Sequence, residues 1–251
     1  MKSPKPRLKL ALTFWLAVAL SVACYFIPYG TLLLYPFNLL ATWAHELGHG
    51  LTAFLVGGEL QRIELFQSLG GVAFSTRPPG SWPTAFIAAG GLVGPTIAGA
   101  VVIVFGSRPQ TAPWVIYLLA AVVLGSTLVW VANPFGKIAM LIIGGALVFI
   151  GVFGNLLVRL LTTQLIGIQC CINSVMDFDY LFTKQFTRDG QIQISDSQSI
   201  AAHLGGTYWM WGGLIAVLTL LILSCAFYFA WLRPQKGEQP NDFSAHSTLQ
   251  H

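Results

Sequence analysis

Two imidazoles and a carboxylate fall within five residues of each other in His45-Glu46-Leu47-Gly48-His49. Residues four apart stack one turn above each other on an α-helix, so both histidines can reach one metal ion. Glu46 lies about 100° further round the helix, near such an ion without having to bind it. This is the H-E-x-x-H arrangement: two zinc ligands and a carboxylate that takes a proton from the attacking water. Zinc brings the pKa of water to about 7, and Glu46 would pass the proton to a leaving amine. The structural alternative is a buried His-Glu-His hydrogen-bond cluster without metal.

The surroundings of the motif exclude a soluble enzyme. Hydrophobic residues make up 55% of the chain and charged residues 9%, with mean hydropathy +0.70. A soluble domain carries roughly a quarter charged residues. Several apolar runs reach the ~20 residues needed to cross the hydrocarbon core. An ionised side chain at mid-bilayer costs about 2.5–3.5 kcal/mol on insertion scales, so Glu46 requires a polar cavity or an ion. Cys24, Cys170, Cys171 and Cys225 all lie in apolar runs and read as small hydrophobes rather than as a disulfide framework.

The elements that must position the motif read as an all-α polytopic membrane protein of about six to seven transmembrane helices, with one short β-hairpin after the second helix. A basic segment, residues 1–9, precedes a membrane domain spanning 10–232, and 233–251 reads as a disordered polar tail. Spans are expected near 10–27, 37–56, 84–105 and 114–131, with Pro36 starting the second. The stretch 137–182 is long enough for two more, broken at Gly154-Asn155, and the last runs over 208–231. Aromatic residues at its ends, Tyr208, Trp209 and Trp211, then Tyr228 and Trp231, suit interfacial belts. Gly90 and Gly94 have the small-xxx-small spacing of close helix packing. Within 58–79, period-two alternation broken at Gly70-Gly71 predicts the hairpin, whereas 183–206 reads as a polar loop. With seven spans and the amino terminus inside, nine of the lysines and arginines fall inside and four outside, as the positive-inside rule asks.

Zinc held by two histidines needs a third protein ligand. Ionisable residues deep in apolar surroundings are few, which points to Asp177, with Asp179 as the alternative and His203 behind both. Asp177 shares a helical face with Asn173; its other reading is an interfacial carboxylate facing water. Asn133, Asn155 and Asn173 are candidates for holding an oxyanion, and the sequence does not choose among them.

Ala44-His45-Glu46-Leu47-Gly48-His49-Gly50 followed by Gly57-Gly58 resembles the site-2 protease family of intramembrane zinc peptidases, especially its divergent bacterial peptidase-like branch. Gly91-Leu92-Val93-Gly94-Pro95 is similar to that family's Gly-Pro span. Ser174-Val175-Met176-Asp177, Ser195-Asp196-Ser197 and Ala201-Ala202-His203-Leu204-Gly205 resemble later segments of the branch. The similarity runs from about Thr42 to Trp231. One departure is clear: the typical Asn-x-x-Pro…Leu-Asp-Gly source of the third ligand is missing, since Phe178 follows Asp177 and no Pro follows Asn155.

The resemblance implies a zinc (Zn2+) metalloendopeptidase with Glu46 as catalytic base and His45, His49 and Asp177 on the metal. Its substrate would be a membrane protein with a transmembrane segment, in the bacterial cytoplasmic membrane with the amino terminus cytoplasmic. The lipid bilayer is its other partner, and no nucleic acid is expected. The alternative is a zinc-binding, proteolytically inactive member that binds or regulates membrane proteins. A transporter using intramembrane His and Asp residues is disfavoured because the chain has no internal repeat.

Overall fold

The computed structural model describes residues 6–176, 181–188 and 191–232. The first five residues, Asp177, Asp179 and the tail from 233 lie outside this set. Among the described residues there are eight α-helices and two antiparallel strand pairs. The order is α1 (Pro6–Phe26), α2 (Gly30–Leu55), β1 (Leu60–Leu65), β2 (Gly71–Ser75), α3 (Ser81–Gly106), α4 (Ala112–Val129), α5 (Pro134–Phe153) and α6 (Leu156–Met176). Then come β3 (Gln185–Arg188), β4 (Gln191–Ile194), a short α7 (Asp196–Leu204) and α8 (Tyr208–Phe227), which ends in a π-turn over Tyr228–Leu232.

Among the described residues, five stretches are long and apolar enough to cross a membrane: α3, α4, α5, α6 from Leu156 to Asn173, and α8 continued to Leu232. A shorter apolar run, Ala11–Phe26, lies in α1. The chain is an integral membrane protein. Backbone groups in lipid must be satisfied within the segment, so apolar runs of this length become helices. The motif helix α2 falls outside the apolar set because His45, Glu46 and His49 dilute it, and their face is turned inward.

Three expectations are corrected. α2 begins at Gly30, so Pro36 sits inside the helix; membrane helices tolerate an internal proline when neighbouring groups satisfy the freed carbonyl. The turn of the first hairpin is Phe66–Gly70, closed by Phe66 N–H to the Gly70 carbonyl at 2.8 Å with Leu69 at φ 64°, and Gly71 already belongs to β2. The stretch read as a polar loop contains the second hairpin, β3–β4. Gln191-Ile192-Gln193-Ile194 has the period-two alternation of a strand. At the end of α8, Trp231 packs against Phe14 and Phe227, with ring centroids 4.5 and 5.2 Å apart.

α3 is the hub, packed against α2, α6, α7 and α8. Its small residues make this possible. A Cβ on Gly94 would lie 3.1 Å from Gly48 Cα, and one on Gly99 would lie 2.6 Å from the Gly167 carbonyl. Gly90 and Gly94 therefore do sit at a close helix crossing, the one between α2 and α3. The chain breaks between α5 and α6 at Gly154 and Asn155, where Asn155 Oδ1 accepts the Val158 N–H at 3.0 Å and caps the new helix. Four helices, α3 to α6, thus separate the two hairpins, and this even number returns the chain to one side. Residues of both hairpins line the same cavity.

The hairpin β1–β2 is clamped along one edge. The Ile63 N–H donates to the Trp130 carbonyl at 2.7 Å, and the Ala132 N–H donates back to Ile63 at 2.9 Å. Asn133 completes the clamp: its Oδ1 accepts the Leu65 N–H at 3.0 Å and its Nδ2 donates to the Leu65 carbonyl at 2.6 Å. Asn133→Ala strands both backbone groups, each costing about 1–3 kcal/mol where water cannot replace the partner. The variant is expected to melt measurably earlier than wild type in the same detergent, and an unchanged thermal-unfolding midpoint would remove this role.

Candidate metal centre

Helix α2 sets His45 and His49 on one face, and their Nε2 atoms lie 3.0 Å apart with the rings edge to face. The His49 Nδ1 donates to the Ile87 carbonyl at 2.8 Å. A carbonyl only accepts, so the proton is on Nδ1 and the Nε2 of neutral His49 presents a lone pair to the site. α3 passes directly over this ring because Gly91 has no side chain: a Cβ there would lie 2.2 Å from the imidazole.

A third donor arrives from outside the membrane spans. Asp196, at the start of α7, brings its Oδ2 to 3.1 Å from His45 Nε2 and 3.4 Å from His49 Nε2. All three side chains are largely buried, between 13% and 21% exposed. Burial alone raises the Asp196 carboxyl, but positive charge on the facing His49 and His45 imidazoles, when they are protonated, outweighs it and holds the group well below the ordinary carboxylate range. A carboxylate oxygen and a neutral ring's lone pair at such distances repel unless positive charge, a proton or a metal ion, lies between them. Tetrahedral zinc with bonds of about 2.0–2.1 Å spaces its donors roughly 3.3 Å apart, and this triangle has that size. His45, His49 and Asp196 are the group of metal-ligating type found among the described residues.

The expected third ligand was Asp177, with Asp179 as alternative; both lie outside the described residues. His203 is on α7 but is not part of the group, and its Nδ1 donates to the Ser199 carbonyl of its own helix at 2.8 Å. Asp196 lies in the polar stretch between α6 and α8, outside the apolar runs in which an ionisable side chain stands out. Its signal was local: Ser195 is a preferred helix N-cap residue, and it places Asp196 in the first turn of α7, where a carboxylate also favours the helix dipole.

What fixes Asp196 is a pair of fully buried hydroxyls. Ser195 Oγ donates to the Thr183 carbonyl at 2.6 Å and accepts the Gln198 N–H at 3.2 Å, capping α7. Ser197 Oγ donates to the Leu181 carbonyl at 2.8 Å. Ile200 then anchors α7 in an apolar cluster with Ala88 and Leu92 of α3, which bracket the glycine window over His49.

Glu46 is 5% exposed and faces the start of β2. A Cβ on Gly71 would lie 2.6 Å from Glu46 Oε1, so only glycine leaves room for the carboxylate there. The strand is held in place by α2 itself: Thr42 Oγ1 donates to the Leu69 carbonyl at 2.8 Å and Tyr35 OH to the Gln67 carbonyl at 3.0 Å. Around these groups opens a cavity of about 620 Å³, walled by β2 on one side and by Phe186, Gln193 and Ile194 of the second hairpin on the other. Of the three asparagines, Asn133 clamps β1 and Asn155 caps α6. Asn173 lines the cavity, its Nδ2 donating to Asn38 Oδ1 at 3.1 Å.

Fold and site together define a polytopic membrane protein with a His-His-Asp cluster and a buried glutamate at the base of a polar cavity. Residues 12–226 match the family described as Peptidase M50B-like, and the chain belongs to it; this is the site-2 protease family. No curated protein and no solved structure matches the chain.

Removing one seryl hydroxyl tests the positioning of Asp196. Supporting groups behind a metal ligand are worth about 10–100-fold in affinity. Ser197→Ala is expected to weaken zinc binding by that order in competition titrations, with a wild-type circular dichroism spectrum. An unchanged affinity would assign Ser197 to loop folding alone.

Proposed function

We propose that this protein is an intramembrane zinc metalloprotease that hydrolyses peptide bonds of membrane-embedded protein segments. The observation carrying this reading is the approach of Asp196 to His45 and His49 beside a buried Glu46. His45 Nε2, His49 Nε2 and an Asp196 carboxylate oxygen would hold the metal. A zinc ion bound there supplies Lewis acidity, making water nucleophilic near neutral pH.

The chain's own residues do the rest. The Ile87 carbonyl keeps His49 in the tautomer that leaves Nε2 available. Glu46 accepts a proton from water as the hydroxyl joins the carbonyl carbon of the substrate, and delivers it to the nitrogen as the C–N bond breaks. Asn173, on the cavity wall, is the asparagine suited to steady the developing oxyanion. A substrate helix hides its peptide bonds, so the segment must be extended before attack. Because β1 is clamped on its far side, β2 from Val72 to Ser75 is the open edge of its sheet among the described residues. An extended substrate strand adds there through main-chain hydrogen bonds, which brings its backbone past Glu46. The excess of lysine and arginine on the side of the hairpins supports a cytoplasmic location for them and for the amino terminus.

Metal analysis beside a cleavage assay tests the reading. Protein purified without chelators is expected to hold about one zinc per chain. That zinc should be lost in His45→Ala and Asp196→Ala and kept in Asp177→Ala. Glu46→Gln should keep the metal while cleavage of membrane-inserted reporters falls about 10²–10⁴-fold. Metal-free wild type would end the metalloprotease reading. Activity of Glu46→Gln at the wild-type level would favour an inactive, partner-binding member of the family instead.

A further inference from the structure

The cavity wall carries one cationic side chain among its described residues, Arg77, and the reaction outlined above does not use it. Its place just beyond the end of β2 is informative. Side chains alternate between the two faces of a strand, and the face of β2 is set by Gly71, whose Cβ position points into Glu46. Ala73 and Ser75 follow on that inward face, opposite buried Ile63 and Leu60. The β-bulge at Leu60/Arg62 adds its residue to β1, so the alternation along β2 is unbroken. Pairing continues through Thr76, whose N–H donates to the Glu59 carbonyl at 2.9 Å. Arg77 is the next residue and has the inward parity.

The other arginine of the hairpin is already engaged on the opposite face. Arg62 Nε lies 3.0 Å from Glu64 Oε1 and its guanidinium sits 3.7 Å from the centre of the Phe74 ring. Arg77 makes no ion pair among the described residues and is exposed to the cavity mouth. The inward face of β2 thus offers three short positions next to the catalytic carboxylate, and in line with them, just past the strand's end, one guanidinium, which suits bidentate recognition of a carboxylate.

We propose that Arg77 is a subsite for a carboxylate on the bound substrate strand, about six residues from the bond that is cut. The inference rests on the strand addition to β2 proposed above. Gly71 marks the position beside Glu46, and Arg77 lies six residues further along on the same face. The carboxylate belongs either to an Asp or Glu side chain or to a chain end left by an earlier cut. The direction of the added strand decides whether it lies before or after the scissile bond.

The test uses the full-length, zinc-loaded protein in lipid nanodiscs with a library of synthetic apolar peptides. These carry Asp, Glu, Lys or neutral residues at each position, and half end in a free acid and half in an amide. Cleavage sites are read by mass spectrometry. Wild type is expected to favour a carboxylate about six residues from the cut by roughly tenfold, Arg77→Ala to lose the preference, and Arg77→Glu to turn it toward Lys, all with wild-type zinc content. Preference for free-acid peptides alone identifies a chain end, and preference for Asp and Glu in either set identifies a side chain. Cleavage without charge preference, or a preference that survives Arg77→Glu, overturns the subsite and leaves the protease standing. No cleavage above the Glu46→Gln background removes both.

Discussion

The structure depends on one electrostatic demand. Two imidazole nitrogens and a carboxylate oxygen are held within 3.0 to 3.4 Å of one another, largely out of water. Such a set is tolerable only around positive charge, and the chain spends much of its architecture in making the approach possible. α3 surrenders a side chain at Gly91 so that it can cross the His49 ring, and β2 surrenders one at Gly71 so that it can meet Glu46. Where a membrane helix would otherwise bear the cost of three ionisable groups, these crossings turn that face toward a cavity.

Rigidity is distributed to match. The two histidines ride on a long helix whose partner, α3, is the most connected element of the bundle. The hairpin beside Glu46 is bolted to α2 by Thr42 and Tyr35 and to the α4–α5 connection by Asn133. The third donor lies on a nine-residue helix, too short to stand alone. Serine hydroxyls and Ile200 supply from tertiary contacts the stiffness that its length cannot. The cavity is therefore bounded by fixed walls on one side and by a small tethered element on the other.

Much of this was legible in the sequence because it rests on local rules. Helical spacing alone set His45, Glu46 and His49 relative to each other. Hydropathy gave the spans, Asn155 marked the break between α5 and α6, and alternation marked the first hairpin. The rest needed the fold. Asp196 is polar among polar residues, and nothing in its neighbourhood states that its loop turns back between helices. Pro36 misled because a proline that would start a helix in water is accommodated inside one in a bundle. The second hairpin was hidden by glutamines, which make a strand look like loop when only its isoleucines carry the period. Similarly, that Asn133 and Asn155 are claimed by backbone groups while Asn173 lines the cavity could be read only from the fold.

The distance in sequence between the motif helix and Asp196 has a consequence for biogenesis. Translation delivers His45, Glu46 and His49 early, and four further helices must be synthesised and inserted before α7 can reach them. A nascent or truncated chain holds His45, Glu46 and His49 without Asp196 beside them. The His-His-Asp cluster is thus completed only at the last stage of assembly, once the topology that carries α7 back to α2 is in place.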